Sequence, residues 1–331
     1  MHIFGRRKLE GGISMQSSEP GYSRRAVLAL AAAGLGRAFA GNYPASASNA
    51  RIVPMMIDAA AQAKITTHPL RRGLSLLEGS GGNIAVLSGG DGKLLVDGGF
   101  RVSEARLREA LTGIDAAPIK QLINTHWHAD HTDSNAWLHA AGAVITAHEN
   151  TKKRLAVDTR VEGWQYTFPA SPAAALPTTV FSSEHQMHAN GAQIRLKYYG
   201  PAHTDSDISV HFVEANILHV GDTWWNGVYP FIDYSTGGSI DGSIRAAEAN
   251  IRAVDAGTLV VPGHGQPGAK ADLVEFRDML AGIREKVAGL KKAGRSLEEA
   301  VAAKPTAAFD AKWGQFLITP AMFTGLVYMG V

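Results

Sequence analysis

Cysteine is missing from all 331 residues. Disulfides and thiolate ligands are therefore excluded, and any bound metal must be held by imidazole and carboxylate. Charge of one sign is also missing: 32 Lys and Arg stand against 30 Asp and Glu, a formal net charge of +2. With no basic run, nucleic acid is not an expected partner, and the substrate is read as a small molecule. Nor is there a Gly-x-Ser-x-Gly elbow to supply a nucleophilic serine. The 45% hydrophobic content is ample for one large core.

Residues 26–36 are apolar, but that run is too short to cross a bilayer as a helix. It follows Ser23-Arg24-Arg25 and precedes the small-residue site Ala38-Phe39-Ala40, with Ala45-Ser46-Ala47 as a second choice. A basic segment, an apolar segment and a small-residue site make a secretory signal. Adjacent arginines before a mildly hydrophobic stretch resemble the twin-arginine export signal. The expectation is a signal peptide over residues 1–40, with either Met1 or Met15 as the start. The chain is then expected to reach the periplasm or beyond, with no stable membrane insertion after signal removal. Residues 41–64 are rich in Ala, Ser, Asn and Pro and read as a linker or a loosely docked N-terminal arm. Residues 65–331 read as the folded domain with a C-terminal helical extension.

Within that domain, buried strands are expected at residues 74–77, 83–88, 93–96, 119–124, 143–147, 193–199, 208–213, 217–220 and 258–261. Helices are expected over residues 102–111, with Ser103 as N-cap candidate, and over 134–141, with Gly142 closing the C-terminus. Further helices are expected at 243–253, 271–293 and 297–303. Residues 161–183 read as a long irregular excursion of the kind that forms lids or binding walls.

The densest chemistry is Thr125-His126-Trp127-His128-Ala129-Asp130-His131, on a strand-to-helix turn. Imidazoles this close would repel one another if charged and would need many partners if buried. A metal removes both problems. Other strand ends repeat the theme: His203 after Gly200-Pro201, Asp222 after Gly221, and His264 after Gly263. Glycine lets the backbone approach an ion closely. Five histidines and two carboxylates are enough for two metals with open positions, and too many for one.

The order His-x-His-x-Asp-His, then His, Asp and His resembles the metallo-β-lactamase fold superfamily, over roughly residues 74–265. The resemblance implies an α/β fold, an αββα sandwich of two mixed sheets flanked by helices. It implies that His126, His128 and His203 hold one metal, that Asp130, His131 and His264 hold a second, and that Asp222 bridges them. Asp97, at its strand end, matches the family's early Asp that supports the site from behind. Lack of cysteine excludes the β-lactamase subclasses with a thiolate ligand, and Asp222 points away from the all-histidine subclass. The ligand pattern is closer to hydroxyacylglutathione hydrolases and lactonases, although the tail shows no basic glutathione-binding signature. His128 stands where diiron flavoproteins carry Glu.

The resulting expectation is an exported dinuclear zinc hydrolase, iron or manganese being alternative metals. A metal-bridging hydroxide, formed because paired metals lower the pKa of water toward ~7, would cleave an ester, thioester, lactone or amide. Asp130 would also pass a proton as a catalytic residue. Three alternatives stand beside it: a mononuclear iron persulfide dioxygenase of the same fold, a β-lactamase-type amide hydrolase, and a non-catalytic metal-stabilised binding protein. The aromatic stretch after Asp222 supplies Trp224, Trp225, Tyr229 and Tyr234 as candidate pocket residues, with a packed loop as the competing reading. The other histidines, among them His139, His148, His211 and His219, read as surface or satisfied core residues. The C-terminal helix reads as packing or an oligomer seam.

Overall fold

Strands such as Lys93-Leu94-Leu95-Val96 are apolar on both faces, which requires cover on both sides of their sheet. The computed structural model describes residues 49–331 and supplies that cover; the expected signal peptide lies outside the described residues. Helix α1 (Ile52–Gln62) leads into the antiparallel strands β1 (Thr66–Pro69), β2 (Leu74–Glu78), β3 (Ile84–Leu87) and β4 (Lys93–Val96). Helix α2 (Glu104–Ile114) crosses to β5 (Ile119–Asn124), and α3 (Ala129–Thr132) and α4 (Asn135–Ala140) to β6 (Val144–His148), both strands parallel to β4. After α5 (Glu149–Leu155) and the small hairpin β7 (Thr159–Val161) and β8 (Tyr166–Phe168), strand β9 (Thr179–Phe181) joins β6. The first sheet has seven strands in the order β1-β2-β3-β4-β5-β6-β9.

The second sheet has five: β10 (Glu184–Ala189), β11 (Ala192–Tyr198), β12 (Ile208–Phe212), β13 (Ile217–His219) and β14 (Leu259–Val261), in that order. Helix α6 (Ile240–Ala253) makes the crossover that lets β14 lie parallel to β13. The chain ends in α7 (Lys270–Lys292), α8 (Leu297–Ala302), α9 (Asp310–Trp313) and α10 (Pro320–Met329).

Alternation along the strands sorts side chains into three apolar layers. Leu74, Leu76, Leu94 and Val96 face the second sheet and meet Ile194, Leu196, Val210 and Phe212. Leu77, Val86 and Leu95 point the other way, against Leu107 and Leu111 of α2 and Leu138 of α4. Val260 belongs to the outer layer of the second sheet, with Phe276, Leu280 and Ile283 of α7. The result is the expected αββα sandwich.

Two sequence readings change. Residues 52–62, read as part of a linker or loose arm, form a helix whose Ile52, Val53 and Ala60 are buried. Pro54 is compatible with this because it sits in the first turn, where no intrahelical N–H bond is lost. The excursion at residues 161–183 is not wholly irregular, since it contributes β8 and β9. Ser103 does precede α2, but its hydroxyl makes no cap; it donates to Ala60 O at 3.1 Å. No helix of the described residues is long and apolar enough to cross a membrane.

The final segment packs back onto the body. Phe323 stacks on Tyr229 with ring centroids 4.7 Å apart, and Trp313 lies 5.7 Å from Phe276. Phe323→Ala should lower the unfolding free energy by about 3–5 kcal/mol, against less than about 1 for the exposed Leu297→Ala. Urea denaturation followed by tryptophan fluorescence measures both; equal small losses would mean that the C-terminal helices are not part of the core.

Candidate metal centre

The candidate site forms where the two sheets meet at one rim. Strand β5 delivers Thr125 to His128, and α3 carries Asp130 and His131. The turn between β11 and β12 carries His203, and Asp222 and His264 directly follow β13 and β14. The rim is tied across the sheets by Ile208 N–H donating to Thr125 O (2.8 Å). Within the second sheet, Gly263 N–H donates to Gly221 O (2.7 Å). Close approach explains two glycines here: a Cβ on Gly263 would collide with the Asp222 carboxylate, and one on Gly82 with the His131 ring.

All seven residues expected from the sequence as metal ligands are brought together. His126, His128, His203 and Asp222 form one group and Asp130, His131 and His264 another, with the ligand atoms of each within 4.8 Å of one another. The Asp222 carboxylate lies between the groups. Its Oδ2 is 3.3 Å from His203 Nε2 and 3.4 Å from His264 Nε2, and its Oδ1 is 3.2 Å from His131 Nε2. Asp130 Oδ2 is 3.2 Å from His264 Nε2 and 3.5 Å from His131 Nε2. His264 is the most open of the seven, its side chain 11% exposed.

For three of the five rings, the nitrogen turned away from the cluster is held by a protein acceptor. His131 Nδ1 meets Asp97 Oδ2 (2.8 Å), His128 Nε2 meets Asp233 Oδ2 (3.1 Å), and His203 Nδ1 meets Phe231 O (2.8 Å). Such partners fix ring orientation and tautomer, leaving the inward nitrogen as donor. Asp97 also accepts from Thr125 N–H (2.8 Å) and Thr125 Oγ1 (2.7 Å), and adopts φ 64° to do so. That left-handed backbone costs an aspartate about 1 kcal/mol, offset here by the hydrogen bonds it makes.

Whether the cluster fits a metal can be judged from its unpaired atoms. Nε2 of His126, His131 and His264 and Oδ1 of Asp222 are buried without a hydrogen-bond partner. His131 Nε2 and Asp222 Oδ1 are close but not aligned for a hydrogen bond. Each bare polar atom costs about 1–3 kcal/mol, so their concentration at one point needs a compensating group. Cations are what imidazole and carboxylate donors satisfy, and the two groups fit a dinuclear centre.

Electrostatics agree. Burial, helped by the neighbouring His131, holds His126 well below the usual imidazole value, and burial lowers His203 to about 4, so both are neutral ligands at pH 7. Burial would raise Asp222, but His264, His131, His126 and His203 outweigh it and hold the carboxyl well below its ordinary range. Burial pulls His264 down, yet Asp222 and Asp130 raise it to about 9. A proton there does what a cation would do, balancing the buried carboxylates.

The aromatic expectations divide. Trp225 stands at the site, its ring centroid 4.4 Å from His264 and 6.3 Å from His203. Trp224 is fully buried in the core cluster under α7. The hydroxyls of Tyr229 and Tyr234 are directed away from the donors. The Tyr229 hydroxyl donates to Asp310 Oδ1 (2.9 Å), and the Tyr234 hydroxyl accepts from Ile240 N–H (3.3 Å) at the start of α6. Both phenols are thus spent on joining loops to helices. His219 is a satisfied core histidine, meeting Asn83 O and accepting from Gly221 N–H, each at 3.2 Å.

Two contributors were missed. Asp233 sits inside a run of aromatic residues, and a lone carboxylate in such apolar company was the available signal. Trp164, whose ring lies 5.6 Å from His128, comes from the excursion and gave no signal of its own.

Comparison with known proteins adds an independent line. The metallo-beta-lactamase superfamily profile matches residues 77–264. The 2,4-dinitroanisole O-demethylase subunit alpha of Nocardioides sp. (strain JS1661) is 29% identical over 168 residues, 49% of this chain and 47% of that protein. The chain thus spans about half the length of the curated relative it matches, at 47%. Among solved structures, the stereoselective inverting sec-alkylsulfatase Pisa1 from Pseudomonas sp. superposes with TM-score 0.60 at 16% identity, covering 82% of this chain and 51% of its own. The DIM-1 metallo-beta-lactamase gives 0.53 at 19%, covering 66% of this chain and 97% of its own. The metallo-beta-lactamase from Pontibacter korlensis gives 0.54 at 18%, covering 66% and 99%. At such identities these likenesses establish the fold alone. The profile match spans more than half of the chain, which belongs to the metallo-beta-lactamase superfamily.

Proposed function

We propose that this protein is an exported dinuclear zinc hydrolase that cleaves an ester, thioester, lactone or amide bond in a small molecule. One observation carries the reading: two adjacent donor groups share the Asp222 carboxylate between them. When bound, a pair of divalent cations supplies a hydroxide nucleophile at neutral pH and polarises the electrophilic oxygen.

The chain's own residues do the rest. His126, His128 and His203 would hold one cation, Asp130, His131 and His264 the other, and Asp222 both. Asp97 and Asp233 lock the rings of His131 and His128 in place. Asp130, beside the most open ligand, His264, can take up a proton at Oδ1, the oxygen not turned toward His131 and His264, and return it to a leaving group. Trp225 and Trp164 flank the donors and exclude water, which strengthens every electrostatic contact inside.

The complete second group supports hydrolysis over a mononuclear iron persulfide dioxygenase, which uses fewer of these ligands. Export rests on Arg24-Arg25 and the apolar stretch after them. Cleavage at either candidate site leaves α1 intact.

Zinc-loaded mature protein should hydrolyse at least one member of a panel of esters, thioesters, lactones and amides. The panel extends to a β-lactam, a secondary alkyl sulfate and 2,4-dinitroanisole, because similar proteins bear those names. Turnover only of the last three would move the substrate class, and oxygen uptake on a persulfide with one iron per chain would replace the reading. Asp222→Asn should cut kcat by at least about a hundredfold without unfolding the chain; near-normal turnover would remove its shared role. Asp233→Ala should weaken zinc affinity by about 10–100-fold in competition with a fluorescent chelator. Unchanged affinity would reduce Asp233 to a loop contact. Replacing Arg24 and Arg25 with Lys should leave the precursor in the cytoplasm on fractionation, and continued export would exclude the twin-arginine route.

A further inference from the structure

Helix α1 is anchored at both ends beside the candidate metal centre. Before its first turn, Asn49 Nδ2 donates to Gly163 O (3.0 Å), and Gly163 lies against the Phe231 ring. Ile52 and Val53 enter the same apolar cluster as Trp164 and Phe231, the rings that flank His128. At the other end, Ala60 O accepts from Ser103 Oγ (3.1 Å) and from an Arg106 guanidinium nitrogen (2.8 Å). The Lys64 carbonyl then abuts Gly79, and Gly81 and Gly82 of the same loop abut Asp130 and His131. The helix thus begins at the wall of the first donor group, and the two residues after it reach the loop against the second. Its eleven residues span about 16 Å, enough to cross the rim over both.

We propose that α1 is the roof of the substrate site, and that Met56 and Ile57 select substrates carrying a flexible apolar acyl or alkyl group. This deepens the hydrolase reading and rests on it. Met56 and Ile57 are only partly buried against the core, unlike Ile52 and Val53, so apolar surface remains for a ligand to cover. They pack against the apolar cluster that also holds Trp164, Phe231 and Trp225, and even the most open donor, His264, has a side chain only 11% exposed. A methionine in such a roof adapts to chains of different shape.

Two measurements on the zinc-loaded protein test this. The first is kcat/KM along p-nitrophenyl acetate, butyrate, hexanoate and octanoate. Met56→Ala, which makes room, should raise the octanoate-to-acetate ratio about tenfold, and Met56→Trp, which fills the space, should lower it about tenfold. Shifts in opposite directions cannot come from general loosening. Ratios within twofold of wild type in both variants, or shifts of the same sign, overturn the proposal. The second needs no turnover: the rate at which 4-(2-pyridylazo)resorcinol strips zinc, measured well below the melting temperature. Ser103→Ala combined with Arg106→Ala, which removes both donors to Ala60 O and frees that end of α1, should raise it about fivefold; an unchanged rate means α1 does not cover the centre and overturns the roof. If wild type cleaves no ester, thioester, lactone or amide of the panel, the hydrolase reading fails while the chelator rate still decides the roof.

Discussion

A buried carboxylate whose charge must be balanced inside the cluster, by a proton or a cation, is the constraint on which this structure depends. Asp222 sits 3% exposed among four imidazoles, and burying an unpaired carboxylate in protein interior costs several kcal/mol. The fold accepts that cost at one point only because donors from both sheets arrive there together. Strand β5, the turn before β12, and the ends of β13 and β14 each contribute, so the centre joins the two halves of the sandwich. Metal binding and folding are coupled in such an arrangement.

Around this point the chain uses short, directed contacts in place of bulk. Asp97 adopts a left-handed conformation so that one carboxylate can hold both Thr125 and His131. Asp233 does for His128 what Asp97 does for His131, and Thr236 Oγ1 donates to it in turn (2.7 Å). These two rings are thereby oriented before any ligand arrives, so part of the electrostatic work of the site is done in folding. The large apolar cluster of tryptophans, α6, α7 and the C-terminal helices then backs the second sheet and keeps its loops in place.

Much of this was legible in the sequence because metal chemistry leaves dense local signatures. Three histidines and an aspartate within residues 126–131 have no purpose in packing, and the other donors each follow an apolar strand and a glycine. The layered fold followed from strands apolar on both faces. What was not legible depends on long-range return of the chain. Asp233 meets a ring 105 positions away, and its one local signal, a lone carboxylate in an aromatic run, does not tell which ring it meets. Tyr229 and Tyr234 read as pocket residues because they follow Asp222 closely, yet the turn sends their hydroxyls toward Asp310 and Ile240. Helix α1 was hidden by alanine-rich composition and Pro54, although its buried Ile52, Val53 and Ala60 keep a helical period. Strands as short as β8 and β9 carry too few residues for alternation to register.

The central claim is that two cations occupy one rim of this sandwich and share Asp222. Anomalous diffraction from crystals of the zinc-loaded protein, collected on either side of the zinc edge, tests it most directly. The account predicts two peaks of comparable height flanking the Asp222 carboxylate, one within the His126, His128 and His203 group and one within the Asp130, His131 and His264 group. A single peak, or peaks elsewhere on the molecule, would contradict it.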